Sequence, residues 1–83
     1  MKGERIEMPY IAIKAYPKDN ETKKRVVDKI NQIFLEEWGC PPQAVSISIE
    51  EVAPEDWVES VVKPEIEPQK EKMMIFNGEK QYE

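Results

Sequence analysis

The chain has 83 residues, 40% of them hydrophobic and 35% charged, with 12 basic against 17 acidic side chains and a net charge of −5. At this size folding hides only about two-thirds of the exposable surface, so a lone core is thin and partner subunits are a natural remedy. The acidic balance opposes a nucleic-acid surface, the single Cys40 excludes an internal disulfide, and the absence of histidine excludes Ser–His–Asp and Cys–His triads and the usual zinc sites.

The longest apolar runs are four residues, Tyr10–Ile13 and Met73–Phe76, and no signal peptide is expected. The expectation is a cytoplasmic protein with no membrane partner and no nucleic-acid partner. Pro9–Tyr16 reads PYIAIKAY, with Ile11, Ile13 and Ala15 on one face and Tyr10, Ala12, Lys14 and Tyr16 on the other. That alternation predicts a half-buried strand. Pro17 stops it, and Lys18-Asp19-Asn20 makes the turn, with Asn20 the expected helix N-cap and Glu21 favourable at the positive end of the dipole.

From Glu21 to Trp38 the residues Val26, Val27, Ile30, Ile33, Phe34 and Trp38 recur at helical spacing, while Lys23, Lys24, Asp28, Gln32 and Glu36 supply the wet side. Gly39 fits the C′ position, and Pro41-Pro42 forbid continuation. In AVSISIEEV, Val45, Ile47 and Ile49 alternate with Ser46, Ser48 and Glu50, which predicts a second strand. Two strands joined by such a helix form a β-α-β unit with a parallel pair, hence an α+β fold whose sheet keeps free edges and one bare face. Pro54 opens a short second helix that Pro64 is expected to end. The tail carries Met73, Met74, Ile75 and Phe76 and an Asn77-Gly78 turn signal. It predicts a C-terminal arm with one short strand or helix, docked on a neighbouring subunit.

The order Met-Pro, strand, helix, strand, short helix resembles the 4-oxalocrotonate tautomerase family across about Pro9 to Ile66. The elements that carry it are MPYIAIKAYP, DNETKKRVVDKINQIF, SISIEEV and APEDW. The likeness is greatest to the small branch with a tryptophan after the second strand, which includes dimeric enzymes. The resemblance implies a tautomerase or isomerase that moves a proton in an enol or dienol of a 2-oxo acid. Its general base is an amino-terminal proline, a secondary amine whose pKa an apolar pocket lowers toward neutrality. It implies no cofactor and no metal, a small anionic substrate, and a homo-oligomer, dimer or hexamer.

Carried over by position, Pro9 matches the catalytic proline. The family's arginine after the first strand falls at Asp19, with Lys18 one residue before it as a stand-in able to hold a carboxylate, though without a bidentate fork. The second-strand arginine falls at Ser46, which is uncharged, and the pocket-wall aromatic falls at Trp57. The missing arginine favours a monocarboxylate enol, aryl-substituted and stacking on Trp57, over a dicarboxylate.

Met1–Met8 precede Pro9. A prolyl nitrogen inside a peptide bond is a tertiary amide with no basicity, so the form with residues 1–8 attached is expected to be inactive. Lys2-Gly3-Glu4 can be encoded by a purine run matching a bacterial ribosome-binding site, and the expectation is therefore that the extension is a translated leader and Met8 the working start. The divisions expected are 1–8 as extension, 9–66 as the tautomerase-like domain and 67–83 as arm and tail. The alternative is a non-catalytic oligomeric binding module on the same fold, with its proline blocked. Of the other polar residues, Lys14 fits salt-bridging, Arg25 fits solvent, and the acidic pairs Glu50-Glu51 and Glu55-Asp56 fit charged surface. Cys40, with no histidine to activate it, fits a small turn residue and not a nucleophile.

Overall fold

The computed structural model describes residues 8–83; Met1–Glu7, the bulk of the expected extension, lie outside the described residues. The described residues fall into two compact units, divided between Glu51 and Val52. The first unit is the β-α-β element. Strand β1 spans Tyr10–Ala15 and strand β2 spans Ser46–Glu51, with helix α1 at Asn20–Ile33 between them. The strands pair in parallel, in a register that sets Tyr10 against Ser46, Ile13 against Ile49 and Ala15 against Glu51. The fold is α+β, with the parallel pair that the alternating pattern predicts.

Two boundaries of α1 differ from expectation. The N-cap is Asp19, not Asn20: its backbone is extended at φ −65° and ψ 155°, and its carboxylate accepts from Thr22 N–H at 2.9 Å and from the Thr22 hydroxyl at 2.8 Å. Both residues are good caps, but only Asp19 sits three before a residue that offers both a backbone donor and a hydroxyl. At the other end the chain stays helical to Trp38, yet Phe34–Trp38 forms a widened π-type turn. Gly39 closes it in the left-handed conformation, φ +76°. Its N–H and the buried Cys40 Sγ–H both donate to the Phe34 carbonyl, at 3.2 and 3.6 Å. A terminal carbonyl left without an intrahelical partner is thereby satisfied, and Cys40 is a packed turn residue.

One face of the sheet carries Ile13 and Ile49, and the hollows that these residues line are closed on the far side by Val26 and Val27 of α1. The opposite face is open: Tyr10, Ala12, Ser46, Ser48 and Glu50 are all exposed, Tyr10 to 73%. The apolar stripe of α1 is wider than two strands can cover, so Val27, Ile30 and Phe34 are half-buried while Val26, Ile33 and Trp38 stay exposed. Among the described residues only Cys40, Ala44 and Val61 are buried hydrophobics. The core is as thin as the length implies.

The second unit corrects the expected role of Pro64. Pro54–Asp56 forms a 3₁₀ turn, Val58–Ile66 follows as a π-type helix with Pro64 inside it, and Glu67–Lys72 continues as 3₁₀ turns. A proline clashes with the carbonyl four residues back in an α-helix. Here the turn is widened instead, and Glu67 N–H reaches the Val62 carbonyl five residues back, so the segment carries the ring without breaking. The tail forms two short strands rather than one: β3, Ile75–Phe76, pairs antiparallel with β4, Glu79–Lys80. Asn77 and Gly78 turn between them at φ +51° and +81°. Two positive φ angles are what a type I′ hairpin turn demands.

Candidate active site

Pro9 stands half-buried immediately before β1, and its carbonyl accepts from Ser46 N–H at 3.3 Å. The residue is therefore tied to the start of β2 through its C=O, while its nitrogen is joined to Met8. Met8 is 71% exposed.

Lys18 sits at the other end of β1. At about 3.3 Å per residue, the six steps from Pro9 to Ala15 span on the order of 20 Å, and Lys18 of the same chain follows beyond that far end. The structure does not bring these two expected site residues together within a chain. What it builds around Lys18 is a hollow of about 340 Å³. Ile13, Ala15, Val26 and Ile49 give it apolar walls, and Tyr16, Lys18 and Lys23 stand at its margin. An apolar cavity of this size with a few convergent polar groups suits a small ligand with one charged end.

The electrostatics of that margin depend on two carboxylates. Asp19, where the family's arginine would fall, is committed to Thr22. The two Thr22 hydrogen bonds, with a smaller contribution from the Lys18 charge, hold its carboxyl below the usual carboxylate value. Glu51 ends β2 beside the turn. Its Oε2 accepts the Lys23 ammonium at 2.7 Å and the Lys18 backbone N–H at 3.1 Å. The Lys23 contact first and the Lys18 N–H second hold the Glu51 carboxyl below its usual value. Sequence reasoning placed Lys23 on the wet face and Glu51 on charged surface. It is the parallel register setting Glu51 against Ala15, visible only once the strands pair, that carries Glu51 to the β1–α1 turn.

Trp57 belongs to the second unit. It is half-buried, its backbone is helical at φ −60° and ψ −48°, and its N–H donates to the Pro54 carbonyl, so it closes the 3₁₀ turn and starts the following helix. Among the described residues no helix is long and apolar enough to cross a membrane.

The sequence of these elements has known relatives. The family model described as "Tautomerase enzyme" matches residues 9–64. The chain belongs to the tautomerase family. The match begins at Pro9 itself and takes in β1, α1, β2 and Trp57. Tautomerase PptA of Cronobacter sakazakii is 31% identical over 75% of this chain and 84% of its own. Tautomerase PptA of Pectobacterium atrosepticum is 30% identical over 74% of this chain and 83% of its own. Membership supports tautomerase, or more broadly isomerase, chemistry in general terms.

Proposed function

We propose that this tautomerase-family protein is a keto–enol isomerase of the 4-oxalocrotonate tautomerase type, acting in the cytoplasm on the enol of a small 2-oxo acid, with Pro9 as general base once the chain starts there. The observation that carries the reading is the tie between the Pro9 carbonyl and Ser46 N–H. A chain beginning at Pro9 keeps that bond and presents a secondary amine from a fixed strand end. An apolar pocket, as the family resemblance implies, would disfavour the charged form of this amine, which takes a proton from one atom of the enol and returns it at another.

Lys18 anchors the substrate carboxylate, and Trp57, carried over from the family pattern, walls an aryl substituent. Because β1 separates Pro9 from Lys18, the two meet on one ligand only when they come from different subunits of a homo-oligomer. Residues 9–66 are then the catalytic domain and residues 67–83 an arm reaching a neighbour. The exposed face with Tyr10, Ala12, Ser46 and Ser48 supports such association, since an isolated two-stranded sheet is marginal in water.

The test compares chains starting at Met1 and at Pro9, each confirmed by intact mass, on the enol of phenylpyruvate. The Pro9 chain should ketonise it faster by about 10²–10⁴, the usual contribution of a positioned general base. Equal rates at equal assembly state would exclude amine catalysis. They would favour a binding module whose Pro9 nitrogen stays in its peptide bond to Met8.

A further inference from the structure

The hollow at the end of β1 has two lysines at its margin, and they are not equivalent. The Lys23 ammonium lies 2.7 Å from Glu51 Oε2. The Lys18 ammonium forms no ion pair with a described residue; it is the Lys18 backbone N–H that Glu51 holds. Glu51 is itself fixed from two sides, by its place at the end of β2 and by these two donors, so its charge stays against Lys23, which lines the hollow.

We propose that Glu51 is a specificity-determining residue: by neutralising Lys23 it leaves the Lys18 ammonium as the cation that, among the described residues lining the hollow, stays open to a ligand, and so sets the hollow to accept an aryl monocarboxylate over a dicarboxylate. This rests on the reading of Lys18 as a carboxylate anchor, but not on catalysis by Pro9. A ligand with one carboxylate lays it on Lys18 and its apolar body against Ile13, Ala15, Val26 and Ile49. A second carboxylate meets a lysine already occupied and a like charge beside it. The side chains of Lys23 and Glu51 are 26% and 36% exposed, so water screens part of this repulsion. The discrimination is then modest, roughly three- to tenfold.

These charges imply an exchange of preference. Removing only the charge of Glu51, with its shape and one acceptor oxygen kept, frees Lys23 as a second cation for the second carboxylate. Removing Lys23 as well takes that cation away again.

The experiment measures binding of 3-phenylpropionate and of phenylsuccinate, which differ by one carboxylate, to the full 83-residue chain at neutral pH and fixed ionic strength. The readout is the amide shifts of Lys18 and Val26. The wild type should bind 3-phenylpropionate more tightly. Glu51→Gln should shift the ratio of Kd values toward phenylsuccinate by roughly three- to tenfold. The double variant Glu51→Gln with Lys23→Met should return it to the wild-type side. Lys23→Met alone, which leaves Glu51 unpaired, should deepen the preference for the monocarboxylate and supplies an independent arm should Glu51→Gln fail to fold. A ratio unmoved in Glu51→Gln, a shift that survives loss of Lys23, or no 3-phenylpropionate response at Lys18 and Val26 would each overturn the proposal. An inactive Pro9 chain would not, because no turnover enters the readout.

Discussion

Removing the Lys18 ammonium tests whether the hollow is the carboxylate site. In Lys18→Ala no described residue lining the hollow replaces the lost cation: Lys23 is held by Glu51 at 2.7 Å, and the neighbouring Asp19 is an anion bound to Thr22. A hydrogen bond between charged partners contributes about 1.5–3 kcal/mol. Lys18 is exposed, which argues for the lower end, so roughly a tenfold loss of affinity is expected.

The ammonium touches the carboxylate equally before and during proton transfer, so the loss belongs in KM and not in kcat. The assay is steady-state ketonisation of the phenylpyruvate enol by the chain starting at Pro9, at two ionic strengths. KM should rise with salt in the wild type and hardly respond in Lys18→Ala, because the screened pair is gone. Lys18→Arg should keep most of the affinity. An unchanged KM in Lys18→Ala, or a fall in kcat at constant KM, would refute the assignment.

Gly39→Ala should destabilise the first unit by about 1 kcal/mol and lower Tm by about 4–8 °C. A Cβ there meets nothing within 4 Å, so the cost is the left-handed backbone at φ +76° alone, and an unchanged Tm at equal protein concentration would contradict it. Acid should weaken the fold. Asp19 and Glu51 are held below their ordinary values of 3.8 and 4.5, so the stabilisation they give is complete above those values and is lost as pH falls through the lowered ones. Thermal melts from about pH 6 to pH 3 should show a falling Tm, with a shallower slope in the Asp19→Asn, Glu51→Gln double variant; an unchanged slope would remove both groups from the account.

The parallel pair and its helix were legible because each carries its own period, two in Ile11-Ile13 and Ile47-Ile49 and near 3.6 in Val27-Ile30-Phe34, with Pro17, Gly39 and Pro54 as punctuation. The hairpin turn was legible too, since Asn77-Gly78 names a specific geometry. Pro64 misled because the rule that proline ends a helix assumes α-helical spacing, and the segment adopts a wider turn. The N-cap missed by one residue because Asp19 and Asn20 are equally good caps in isolation; the hydroxyl of Thr22 decides between them. In the site, Lys18 was singled out because the family's turn arginine falls one residue after it, and the structure adds that it lines the hollow. Glu51 could not, because its role depends on the register that sets it against Ala15 and on the helix returning Lys23 to the same spot.

The separation of Pro9 from Lys18 along β1 makes association part of the proposed chemistry, and subunit mixing tests the two together. In a two-fold dimer each site would take its amine from one copy and its ammonium from the other. Lys18→Ala in a chain starting at Pro9 has an intact amine, while the wild-type chain starting at Met1 has an intact Lys18 and a blocked proline. Mixed in equal amounts and allowed to exchange, half of the dimers are hybrids with one complete site of two, which is about a quarter of the wild-type sites. The mixture measured at low substrate should therefore exceed the sum of its separated components and approach that fraction. Dilution that brings the light-scattering mass down to one chain should abolish the gain. An additive mixture, or full activity from a single chain, would show that one subunit holds both groups near the ligand, which the six-residue strand between them does not permit.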